Sequence, residues 1–160
     1  RGNNQTRAAK VLIVDDDQTL LRFLKKYLER ENFDIYTADQ GKKALQVFYQ
    51  ERPDIVVLDV MMPGMDGWEV CARLRELADT PIIMLTAKTS ESEKLRGFRL
   101  GADDYVTKPF SMAELAARIR AVLTRVGFQD DGEELEFQTG ALRVNLRKRE
   151  VFLGERIWLE

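Results

Sequence analysis

The chain contains no histidine. Within this chain, that absence excludes Ser-His-Asp and Cys-His nucleophile pairs, histidine-ligated zinc and histidine as a general base. Phosphate chemistry that begins on a histidine would have to take that residue from a partner. Cysteine is nearly absent as well. Cys71 stands alone, which excludes an internal disulfide and a cysteine-based zinc site. Together with the lack of a signal-like start, this favours a reducing interior, and a cytoplasmic location is expected. No apolar run approaches the roughly 18 residues of a membrane span. The longest are short pieces such as Val11–Val14, so no membrane partner is expected. Neither charge sign dominates: 25 Lys and Arg face 27 Asp and Glu, a net of −2. That balance argues against a nucleic-acid binder held by bulk charge and against a polybasic anchor. There is no GxxxxGK[ST] loop, and Gly64 and Gly67 read as turn glycines that make no dinucleotide fingerprint.

What remains is an ordinary globular composition. The chain has 160 residues, 44% of them hydrophobic, enough for one domain, or one domain plus a fragment, with a sizeable core. Arg1 to Lys10 is polar and aperiodic, and residues 1–9 read as a flexible tail. Short Val- and Ile-rich runs then recur at Val11–Val14, Ile55–Leu58 and Pro81–Leu85, with weaker ones at Asp34–Ala38 and Asp104–Val106. They start roughly 20 to 27 residues apart, the length of a strand plus a crossover helix. Runs this apolar suit strands covered on both faces of a parallel sheet.

Helical stripes fill the gaps: Leu20, Leu21, Leu24, Tyr27 and Leu28; Ala44, Leu45 and Phe48; Val70, Cys71, Leu74 and Leu77; Leu95, Phe98 and Leu100; and Leu115, Ile119, Val122 and Leu123. Gly101 marks the end of the fourth, and Ser111 with Glu114 makes a capping box for the fifth. The alternation predicts an α/β domain over residues 10–125, a doubly wound five-stranded parallel sheet in order 2-1-3-4-5. Residues 126–134, acidic and Gly-containing, read as a linker. Residues 135–160 carry short strand signals at Leu135–Phe137, Ala141–Leu146, Glu150–Leu153 and Ile157–Leu159, a small antiparallel meander. So short a segment does not readily bury a core alone, so it reads as a truncated second domain.

In a parallel α/β sheet, ligands bind outside the carboxyl ends of the strands. Past strand 1 come Asp15, Asp16 and Asp17; past strand 3, Asp59; past strand 4, Thr86; past strand 5, Lys108. Clustered carboxylates repel one another unless a cation sits among them, and oxygen ligands suit Mg²⁺. One carboxylate can then act as a nucleophile and form an acyl phosphate. A hydroxyl and an ammonium would serve the equatorial oxygens of the transferring group. Each residue has an ordinary reading when taken singly. Asp17 would be a helix cap, Asp59 an Asx-turn residue, Lys108 a surface lysine and Thr86 a strand-end residue. Their coincidence at four strand ends makes the joint reading the stronger. Met61, Met62 and Met65 read as loop packing.

The segments VLIVDDD (11–17), PDIVVLDVMMPGMDG (53–67), PIIMLTA (81–87) and GADDYVTKPF (101–110) resemble the receiver domain of two-component response regulators. The likeness covers residues 10 to about 125 with every segment in order. The resemblance implies that Asp59 is the phosphoacceptor. It implies that Asp16, Asp59 and the backbone carbonyl of Met61 hold Mg²⁺, with Asp15 helping. Lys108 would pair with a phosphoryl oxygen, Thr86 would hydrogen-bond the phosphoryl group, and Tyr105 would swing inward behind Thr86. Lys94, Asp103, Asp104, Glu114, Arg118 and Arg125 resemble the dimer surface of the OmpR/PhoB subfamily. By that analogy the homodimer forms through the face of the fourth helical stripe, the fifth strand and the fifth stripe. Its cross-subunit pairs would be Lys94–Glu114, Asp103–Arg118 and Asp104–Arg125.

Residues 141–160 resemble the opening strands of a winged-helix domain. By the same likeness, DNA and RNA polymerase would be met through a missing part of that effector domain, and a sensor histidine kinase would be the upstream partner. Residues 126–160 carry 5 basic and 8 acidic side chains, a net of −3, so Arg143, Arg147, Lys148 and Arg149 read as solvated charges. Met61 and Lys88 sit at the family's rate-tuning positions, and neither positions an attacking water, so a long-lived phosphoryl state is expected. Two other classes compete. An Asp-nucleophile phosphatase would want a second acid where Met61 stands, and an inert interaction module would lack the acids, the threonine or the lysine. The chain is therefore expected not to be a turnover enzyme.

Overall fold

The computed structural model describes residues 7–87, 95 and 99–128, and the backbone of four strand segments between 136 and 159. The first unit alternates strand and helix: β1 (Lys10–Val14), α1 (Gln18–Arg30), β2 (Asp34–Ala38), α2 (Gly41–Glu51), β3 (Ile55–Asp59), α3 (Gly67–Leu77), β4 (Ile82–Thr86), β5 (Asp104–Thr107) and α4 (Met112–Arg125). The five strands are parallel in the order β2-β1-β3-β4-β5, as the sequence predicts. Lys94, and Phe98 of the fourth helical stripe, lie outside the described residues. Leu95 and Arg99 are helical within it, and Gly101 closes the segment at φ +96°, in the left-handed region that favours glycine.

Strand periodicity explains the layers. Successive side chains in a strand point to opposite faces. Val11, Ile13, Ile55, Val57, Ile83 and Leu85 therefore face one core with Leu24 and Leu28 of α1 and Leu115 and Ile119 of α4. Leu12, Val14, Val56, Leu58, Ile82 and Met84 face the other, with Phe48 of α2 and Trp68, Val70 and Leu74 of α3. Burying both faces requires continuous apolar strands, and β3 and β4 are buried at every position. The edge strands β2 and β5 are buried on fewer positions and carry Asp34 and Asp104 at their starts.

Three of the four described helices start where the sequence provides an acceptor. Asp17 caps α1 through Leu20 N–H, Asp66 caps α3 through Glu69 N–H, and Ser111 caps α4 through Glu114 N–H. Helix α2 is the exception, because Gln40 gives it no side-chain cap.

Residues 7–9, expected to trail as part of a flexible tail, are docked. Ala9 is buried and its carbonyl accepts Asp34 N–H. Arg7 donates to both carboxylate oxygens of Asp54 at 2.7 Å each and lies 5.2 Å from the centre of the Phe128 ring. Phe128 is folded back there by the turn after α4, where Gly127 takes φ +86° and the Phe128 N–H reaches the Leu123 carbonyl.

The second unit is an antiparallel meander of β6 (Glu136–Thr139), β7 (Leu142–Asn145), β8 (Glu150–Leu153) and β9 (Arg156–Leu159), paired in sequence order. It matches the strand signals to within about two residues. Residues Arg147, Lys148 and Arg149 lie outside the described residues.

Candidate phosphoacceptor and metal site

The carboxyl ends of β1, β3, β4 and β5 bring the predicted site residues to one edge. Asp59 and Thr86 are the last residues of β3 and β4, inside the strands, where the sequence reading put them just beyond. Strand pairing holds the edge level, because Val60 N–H donates to the Leu85 carbonyl and Lys108 N–H to the Thr86 carbonyl. Asp15 is fully buried, Asp59 is 4% exposed and Thr86 3%, whereas Asp16 is exposed. Buried carboxylates need partners. Asp15 receives the Lys108 ammonium at 2.8 Å and the Asp17 N–H at 3.0 Å. Asp59 lies 3.5 Å from the same ammonium and accepts the Met61 N–H at 3.3 Å.

The electrostatics are unbalanced. Asp15, Asp16 and Asp59 each offer an oxygen within 4.8 Å of the others, against one lysine. Burial, then the Asp15 charge, push the Asp59 carboxyl up to about 6, although Lys108 and the Met61 N–H oppose the rise. Burial alone would lower the Lys108 ammonium, but the hydrogen bond and charge of Asp15, with Asp59 behind it, raise it instead. A hard divalent cation fits this donor set: oxygen ligands, excess negative charge and an open side at Asp16. With the cation bound, Asp15, Asp16 and Asp59 are the side chains in reach to hold it.

Other predicted residues divide. Tyr105, expected to swing inward, is buried in this structure and packs with the cluster on the α3 side. Among the methionines read as loop packing, Met62 is buried and Met65 packs against the core, but Met61 is exposed.

On the predicted dimer face, Asp103 uses its carboxylate to accept Ile82 N–H at 2.8 Å. Arg118 pairs with Asp104 of its own chain at 3.3 Å, and Arg125 donates to the Asp103 backbone carbonyl at 3.2 Å. The cross-subunit partners expected for Arg118 and Arg125 are therefore exchanged within one chain. Glu114 is exposed at the start of α4.

Sequence reasoning missed the part played by Gly67. It is no turn glycine but the first residue of α3, and a Cβ there would collide with the backbone carbonyl oxygen of Asp59. Its N–H donates to the Val60 carbonyl. The available signal was its place just after Asp66, a cap residue, at the opening of an apolar helical stripe.

Residues 11–120 match the response regulator receiver domain. A probable transcriptional regulator, ycf27 of Cyanophora paradoxa, is 46% identical over 157 residues, covering 94% of this chain and 65% of the relative. The chain thus spans 65% of that relative's length. Among solved structures, the Thermotoga maritima OmpR/PhoB homologue DrrB is 33% identical at a TM-score of 0.69, covering 94% of this chain and 65% of DrrB. A putative response regulator from Chloroflexus aurantiacus is 39% identical at 0.69, covering 74% of this chain and all of its own. The BeF3-activated receiver domain of Klebsiella pneumoniae RstA is 35% identical at 0.66, covering 70% and 96%.

Proposed function

The chain belongs to the response regulator receiver family of two-component systems, and from that premise we propose that it is a regulator of the OmpR/PhoB type, a switch set by phosphorylation of Asp59. The donor is a partner's phosphohistidine, since this chain has no histidine of its own. The observation that carries the reading is the convergence at one edge of three carboxylates, a lysine reaching two of them, and Thr86.

In the proposed transfer, an ionised Asp59 oxygen attacks phosphorus as the phosphorus–nitrogen bond of the donor breaks. The phosphoryl group moves to Asp59 and the electron pair leaves with the imidazole. Mg²⁺, when bound, offsets the charge of the carboxylates and of the transferring oxygens. Lys108 stands 3.5 Å from Asp59 and can turn from Asp15 to a phosphoryl oxygen. Thr86, at the adjacent strand end, supplies a hydroxyl. The Met61 N–H and the buried wall fix the Asp59 rotamer.

The new dianion then biases the packing of Thr86 and Tyr105 and, through them, the surface of β5 and α4. Dimerisation through that face brings two effector domains onto DNA. Met61 occupies the position where a phosphatase of this type would keep a second acid, so the chain takes one phosphoryl group and does not turn over substrate.

The test is intact-mass spectrometry after incubation with a small acyl phosphate and Mg²⁺, with size-exclusion light scattering on the same samples. One added phosphoryl group on wild type and none on Asp59→Asn is the expected result, together with a shift toward dimer. Phosphorylation without a shift toward dimer would move the output elsewhere. Equal labelling of Asp59→Asn would overturn the assignment.

A further inference from the structure

A second charged feature lies on the other side of β1. Between α1 and the β2–α2 junction is a cleft of about 430 Å³, walled by Gln18, Arg22, Lys25, Thr37, Asp39 and Lys43. Its sign is opposite to that of the carboxylate site: three cations face one carboxylate. Asp39 is already engaged, since Gln18 Nε2 donates to it at 2.8 Å. Among the described residues, Arg22 and Lys43 make no ion pair, and Lys25 meets Glu29 only at 4.0 Å. The cleft therefore keeps uncompensated positive charge.

The local sequence does nothing to relieve it. Helix α2 opens Gly41-Lys42-Lys43 with no acid in its first turn and no side-chain cap. Cations at a helix N-terminus oppose the macrodipole. Local choices that work against stability are expected where function requires them. The remaining wall chemistry is of donors: the Gln18 amide and the Thr37 hydroxyl join the guanidinium and two ammonium groups. Arginine and lysine beside neutral donors make a phosphoryl-recognising set. The volume lies in the range of small-molecule sites.

We propose that this cleft binds a small phosphorylated anion carrying at least two negative charges, of the size of a phosphate monoester or a diphosphate. Arg22, Lys25 and Lys43 meet the phosphoryl oxygens, and the flanking hydroxyl and amide set orientation. The site is separate from Asp59 but touches it indirectly. The Ala38 carbonyl, on the cleft's wall, accepts the N–H of Asp15.

The probe is inorganic pyrophosphate, titrated without divalent cation into the Asp59→Asn protein at moderate salt and followed by amide chemical shifts. Using that variant keeps the outcome independent of phosphorylation at the carboxylate site. The expected result is saturable shifts confined to residues 18–25 and 37–43. Arg22→Gln and Lys43→Gln should each weaken binding about tenfold or more. Lys26→Gln, an exposed lysine on α1 that does not wall the cleft, should leave it unchanged. Absence of saturation would overturn the proposal and leave an acidic partner protein as the better match for the charge. Equal weakening by Lys26→Gln would overturn it in favour of diffuse surface charge. Equal binding of sulfate would overturn the phosphoryl class.

Discussion

Replacing Asp59 with asparagine should stabilise the metal-free protein at neutral pH. The substitution keeps the shape and leaves an oxygen to accept the Met61 N–H, but removes one of three negative charges set against a single ammonium. Asp59 ionises at about 6 in the fold, against 3.8 for an unperturbed aspartate. The folded state therefore holds a proton that the unfolded chain releases, and stability falls as pH rises from about 4 through about 6. At 1.36 kcal/mol per pH unit, a gap of this size corresponds to roughly 3 kcal/mol above that window. The value of about 6 already includes the opposing pull of Lys108, but the buried amide N–H groups of the asparagine need partners that a carboxylate does not, so the expected gain for the variant is about 1–3 kcal/mol. For a domain of this size that is roughly 5–10 °C in Tm.

The assay is urea unfolding in EDTA, read by fluorescence of the buried Trp68, at pH 7.5 and again near pH 3.5. The variant should lead at pH 7.5 and the two curves should converge at pH 3.5. Added Mg²⁺ should stabilise wild type more than the variant, because ligand binding to the native state adds stability in proportion to its affinity. An Asp59→Asn protein no more stable than wild type at pH 7.5 without metal would refute the electrostatic account of the site.

Lys108→Met should do the reverse, leaving buried Asp15 without its cation and costing roughly 1–3 kcal/mol. The loss should be larger at pH 7.5 than at pH 4, where Asp59 holds its proton and adds no charge beside Asp15, and urea midpoints at the two pH values read it. Gly67→Ala should cost roughly 1–3 kcal/mol by forcing the start of α3 off the Asp59 carbonyl, and thermal melts would show it; an unchanged Tm would mean that the loop yields freely. Arg7→Ala removes an exposed ion pair, so global stability should move by less than about 1 kcal/mol. Chymotrypsin should nonetheless cut faster at Phe128, which mass spectrometry of a digestion series would detect.

Much of this molecule is legible in the chain because burial on both faces writes itself as unbroken apolar runs. Strands β1, β3 and β4 announce themselves this way, and the polar residues that end them mark the site edge. The edges read less clearly, since β2 and β5 are covered on fewer positions and mix Asp, Tyr and Thr with their apolar residues. Contacts set by three-dimensional approach left no periodic trace. Nothing in the spacing says that Lys108 stands nearer to Asp15 than to Asp59, or that Gly67 abuts the Asp59 carbonyl. Nor does it say that Asp103 gives its carboxylate to the Ile82 amide. The Arg7–Asp54 pair joins positions 47 apart across a stretch that has no pattern of its own.

That pair has an architectural consequence. Asp54, just before β3, is the anchor for Arg7, which leads into β1, and Arg7 in turn lies over Phe128, the ring that follows α4. The chain enters and leaves this unit through one doorway, on the sheet edge opposite the carboxylates. A module with adjoining entrance and exit can be spliced into a host loop, or circularly permuted by a short bridge across that doorway, without opening its core. It also offers whatever is attached a single hinge post rather than two separated tethers.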